Sequence, residues 1–118
     1  MCTGATRMMQ LGHVYYAAKD PAAGATHLLC EGRFMREVAS AVTGPQNPDL
    51  EQAIVALVVE HRARTGHSRW RQEWQTYQPR AAAAGERLAR DGVYQQWRLR
   101  AVEAPELYET LVTLCAEA

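Results

Sequence analysis

Lysine is almost missing from this chain. Of its 13 basic residues, Lys19 stands alone and the other twelve are arginine, a bias we read as base composition in the coding DNA. Net charge is missing too. The 13 acidic residues balance the 13 basic ones, for a formal charge of 0, which removes the long-range electrostatic case for nucleic acid or an anionic membrane surface. Cysteine is sparse and odd in number: Cys2, Cys30 and Cys115 lie at irregular spacing. No disulfide framework is implied, and a reducing, cytoplasmic setting is expected. No apolar run approaches the roughly 18 residues of a membrane span, and the N-terminus lacks the basic-then-apolar layout of a signal peptide. Internal repeats and low-complexity segments are absent; Ala81 to Ala84 is only a helix-favouring patch. There is no glycine-rich phosphate loop, G-x-S-x-G elbow or paired-carboxylate motif.

What is present suits one compact globular body. The 118 residues are 47% hydrophobic and 22% charged, ordinary values for a folded domain. The first 24 residues carry the most chemistry. Cys2 stands at a helix start, followed by Thr3, Gly4 and Ala5, small enough for another backbone or a metal to approach. Thr6 to Leu11 is expected to be helical, with Ala5, Met8 and Met9 on one face, and Gly12 ends it. We read the two methionines as core filler, the alternative being the lining of a nucleobase pocket. His13 to Ala18 is a short apolar and aromatic run, the signal of a buried strand. Asp20-Pro21 opens a loop closed by Gly24. Asp20 reads as a turn residue, although an open α/β sheet binds ligands at that end of a strand.

Further on, Ala25 to Met35 is expected to form a short helix burying His27, Leu28, Cys30 and Phe34, with Gly32 working against it. His27 and Cys30, three apart, read as a buried pair on that face; a second metal pair with Cys2 is the other reading. Glu37 to Thr43 alternates as a strand does, and Gly44-Pro45 stops it. Strand, helix and strand over some thirty residues make a βαβ unit with parallel strands. Asn47-Pro48-Asp49 is the clearest helix start: Asn caps, Pro takes the first helical position, and Asp49 and Glu51 favour the positive dipole end. Leu50, Ala53, Ile54, Leu57, Val58 and His61 follow the spacing of a single buried stripe, Glu60 and Arg64 pair outside, and Gly66 ends the element.

Residues 67–118 read as all-helical. Ser68 caps a helix to about Gln78, with Trp70, Trp74 and Tyr77 on one stripe; Pro79 breaks it. Arg80 to Asp91 is the next, stopped by Gly92, then Val93 to Ala104, then a helix from Pro105 with Leu107, Leu111 and Leu114 inward. The three tryptophans are expected to pack against the 49–64 helix or a partner. Stacking on bases is the alternative for Trp70, Trp74 and Tyr77, and the mixed charges around them argue against it.

One resemblance draws the first segment together. Met1-Cys2-Thr3-Gly4-Ala5 resembles the second half of the P-C-x-M-C-x-G-A signature of the zinc-dependent cytidine, deoxycytidylate and tRNA-adenosine deaminase superfamily. Leu11 to Pro21 resembles the stretch that follows it in bacterial nucleoside deaminases. The similarity covers residues 1–45, extends less closely to 64, and stops there. It implies an α/β fold: part of a cytidine-deaminase-like domain over 1–66, a βαβ unit with parallel strands near 13–18 and 37–43, and an all-helical extension over 67–118 packed on it. It also implies Cys2 as one metal ligand, zinc as cofactor, and a nucleobase, nucleoside or nucleotide as substrate. Family members hold zinc by a His or Cys of an H-x-E motif and by two cysteines of C-x-x-C, and the Glu shuttles the proton as a bound hydroxide displaces ammonia from cytosine or a purine.

This chain departs from that pattern. His13, His27, His61 and His67 are followed two positions on by Tyr15, Leu29, Ala63 and Arg69, so none begins H-x-E. Cys2 would be the second cysteine of C-x-x-C; the first would lie before Met1, as would H-x-E, so the chain resembles the C-terminal part of a deaminase begun at an internal methionine. The expectations are therefore a deaminase fragment inactive by itself or, alternatively, a small helical interaction protein reusing part of that fold. Without its upstream neighbours the 13–18 strand would expose an edge, and self-association through it is expected.

Overall fold

A computed structural model of the chain describes residues 2–37, 41–67, 69 and 71–118, with the side chains of Cys2, Cys30 and Phe34 outside the description. The element order is α1 (Cys2–Met8), β1 (His13–Tyr15), a 3-10 turn (Thr26–Cys30), α2 (Arg33–Arg36), β2 (Ala41–Thr43), then α3 (Pro48–Arg64), α4 (Arg71–Tyr77), α5 (Pro79–Arg90), α6 (Val93–Arg100) and α7 (Ala104–Glu117). The chain is helix-rich with one small parallel sheet, in which His13, Val14 and Tyr15 face Ala41, Val42 and Thr43. No helix among the described residues is long and apolar enough to cross a membrane.

The N-terminal elements are shorter and wetter than the sequence pattern suggests. The first helix runs from Cys2 to Met8, ahead of the expected 6–11, and Met8 and Met9 are 74% and 73% exposed, so neither is core filler. The strand stops at Tyr15, not Ala18, because its partner ends at Thr43, whose carbonyl accepts the last ladder bond from Tyr16 N–H before Gly44-Pro45; beyond it the Asp20 carboxylate accepts the N–H groups of Ala22 (2.9 Å) and Ala23 (3.0 Å) in a turn. His13 and Tyr15 point to one exposed face, where their rings stack with centroids 4.1 Å apart. His13 Nε2 and Thr43 Oγ1 bond across the pair at 2.7 Å. A sheet of two strands cannot bury both faces, which is why an aromatic run here stays half wet.

The expected 25–35 helix divides at Gly32. Its φ of +74° is a left-handed conformation that glycine adopts without Cβ strain, and it separates the 3-10 turn from α2. His27 and Leu28 are exposed and Leu29 is buried instead, since the three-residue period of the 3-10 turn presents a different side chain inward. The burial expected of Cys30 and Phe34 concerns side chains outside the description. The second strand is Ala41–Thr43; Glu37 continues α2 with helical dihedrals, and positions 38–40 of the expected strand lie outside the described residues. Thr3 Oγ1 donates to the Ala25 carbonyl at 3.3 Å, and Arg7 meets Glu37 at 3.1 Å, fastening α1 over the 3-10 turn and α2.

The helix start at Asn47 is as the sequence implies. Asn47 Oδ1 accepts the N–H groups of Asp49 (2.8 Å) and Leu50 (3.1 Å), and Pro48 occupies the first turn. The buried stripe of α3 is different from the expected one. Glu51, Ala53, Val55, Ala56, Val59 and Glu60 are buried, Leu50, Ile54, Leu57 and Val58 are half-buried, and His61 is exposed. The reason lies in α5, which presents Ala81, Ala82, Ala84 and Gly85 to α3. Small residues draw the helix axes together, and the α3 face that fits is the one with Ala53 and Ala56. At Gly85 a Cβ would collide with the Ala56 carbonyl oxygen and stand 2.8 Å from Val59 Cβ.

One buried cluster joins α3, α4, α5 and α7 through Val55, Val59, Trp74, Leu88, Leu111 and Cys115, with Trp97 of α6 packed against it. This cluster crosses residue 66. The tail helices lie close to expectation with two differences: Pro79 opens α5 at its first turn, where a missing N–H costs nothing, and α6 stops at Arg100, not Ala104, because Ala101 turns left-handed at φ +50° and Ala104 already begins α7. Of the three tryptophans, Trp74 is buried in this cluster and Trp97 half-buried; Trp70, like the cap expected at Ser68, lies outside the described residues.

Candidate functional site

Three places hold the polar chemistry. The first is the N-terminal segment that the sequence singles out. Cys2 is the first residue of α1, a helix that leads through Gly12 into β1; its side chain is outside the description. Asp20 spends its carboxylate on its own turn, and His27 is exposed on the 3-10 turn. No group of three or more His, Cys, Asp or Glu side chains converges to hold a metal among the described residues.

The second place is a polar knot at the start of α3. Glu51 is 5% exposed, yet it is fully used. Its carboxylate accepts the Tyr77 hydroxyl at 2.5 Å, the Lys19 backbone N–H at 3.2 Å and Gln78 Nε2 at 3.4 Å. Buried charge is tolerated when hydrogen bonds replace its water. The knot ties the strand-bearing segment to α3 and α4. Burial, then the Glu51 hydrogen bond and charge, push the Tyr77 phenol up to about 12. The sign follows: a phenol whose folded value is raised above the usual one near 10 stabilises the fold below about pH 10, and that stability is lost as pH climbs towards 12. A tyrosinate absorbance titration of the native chain should show one late step near pH 12, abolished in Tyr77→Phe; its persistence in that variant would assign the step elsewhere.

The third place is a cavity of about 450 Å³ between the end of α3, α4 and α5. Val59, Ala82, Ala89 and Trp74 give it an apolar floor, and Arg62, Arg64, Arg71, Arg90, His67 and Glu86 a polar rim. Glu86 accepts from Arg71 Nε at 2.8 Å and from Gln75 at 2.9 Å. The Arg71 hydrogen bond, with Gln75 and the charge of Arg90 adding to it, holds the Glu86 carboxyl below the usual carboxylate range. Arg64 turns to Glu60, 2.8 Å away and 1% exposed, and its guanidinium also lies 4.4 Å above the Tyr94 ring centre. Sequence reasoning passed over this site. Its signal was the four-residue spacing of Arg71 with Gln75 and of Glu86 with Arg90, on two helices folded back on each other at Pro79. Trp74, read from the sequence as packing, does pack; its Nε1 finds no acceptor among the described residues and is shielded from solvent.

No family model, curated protein or solved structure matches the chain.

Proposed function

We propose that the chain is a segment of a zinc-dependent deaminase-superfamily protein, whose complete form hydrolyses the amino group of a cytosine or purine base and releases ammonia. The observation that carries the reading is the Cys2-Thr3-Gly4-Ala5 motif at the start of a helix that feeds a strand in a parallel pair. The donors of residues 1–118 do not fit a zinc-hydroxide centre. Cys2 stands at one ligand position of the motif, and the sequence contains neither H-x-E nor the partner cysteine. No step of deamination therefore follows from these side chains, and residues 1–118 by themselves should be inactive.

A specific observation favours a second reading, a non-catalytic interaction protein: the main buried cluster belongs to α3, α4, α5 and α7, not to the motif-bearing segment. In either case the two-stranded sheet, in which Tyr15 is 67% exposed, is the surface we assign to self-association. Two measurements decide. Purified residues 1–118 should retain far less than one zinc per chain and release no ammonia from cytidine, deoxycytidylate or adenosine. Stoichiometric, tightly held zinc would overturn the incomplete-site reading. In the gene, in-frame codons for H-x-E and P-C-x directly upstream would support the deaminase, and a stop codon there the interaction protein.

A further inference from the structure

We draw no further inference here: the strongest candidate, the cavity between the end of α3, α4 and α5, carries none, because Arg62 in its lining is already engaged, Arg71 and Glu86 on its rim answer each other, and the unpartnered Nε1 of Trp74 is shielded from solvent.

Discussion

Replacing Gly85 with alanine is expected to lower the unfolding free energy by about 2–3 kcal/mol, although alanine is the better helix former by about 1 kcal/mol. The added methyl would meet the Ala56 carbonyl oxygen and stand 2.8 Å from Val59 Cβ and 3.1 Å from the Glu60 nitrogen. Two of those atoms are backbone, held in α3 by its own hydrogen bonds, and cannot swing aside as a side chain would. The helices must part, and Ala81, Ala82 and Ala84 then lose their contacts together, because one close approach seats all of them. Ala83→Gly is the control. Ala83 is exposed on the same helix, and its loss should cost only the propensity difference of about 1 kcal/mol. Urea denaturation checks both. A Gly85→Ala protein as stable as the wild type would mean that α3 and α5 do not meet at this distance.

The second large effect is expected at Arg64. Its Nε lies 2.8 Å from Glu60 Oε1, and the carboxylate is 1% exposed. Truncation to alanine leaves that charge buried and unanswered. Breaking such a pair in a fully dry site costs about 3–5 kcal/mol. The Arg64 side chain is 29% exposed, so water relieves part of the cost, and we expect about 2–3 kcal/mol including the lost contact with Tyr94. The double variant Glu60→Met, Arg64→Ala should recover most of it, since removing both charges leaves no orphan. A double-mutant cycle by urea denaturation should therefore return a coupling of at least about 1.5 kcal/mol. A cost below about 0.5 kcal/mol for Arg64→Ala would place the pair among ordinary surface ion pairs.

Both sites show where the sequence could and could not be read. Asn47-Pro48 announces α3 because capping is local: the amide oxygen needs only the two N–H groups that follow it. The helices after residue 70 were legible for the same reason, their boundaries being written in Pro79, Gly92 and Pro105. The buried face of α3 was not legible. Val, Leu, Ile and Ala occupy almost every turn of that helix, so periodicity alone cannot choose a side, and the choice is made by small residues about thirty positions away on α5. Nor does a glutamate advertise that it is buried. Glu51 and Glu60 are inside because Tyr77, Gln78 and Arg64 meet them there. The parallel pairing of residues near 13–15 and 41–43 was legible, while its exposure was not, because burial of a strand depends on what covers it. The arginine-rimmed cavity was hidden for a related reason: it belongs to three helices, and each contributes a pattern that alone reads as a solvated face.

The Glu51 knot has a mechanical meaning for the whole chain. It is a clasp: the strand-bearing first part reaches the helical body where Ala18 packs on the cluster and Lys19 meets that carboxylate. Opening there costs the Lys19 hydrogen bond, the cover over Ala18 and the proximity of Tyr16 and Pro21 to Tyr77 of α4, whereas opening α3 costs the entire buried cluster. The first part is therefore expected to open at lower cost than the helical body, and its amide hydrogens to exchange sooner.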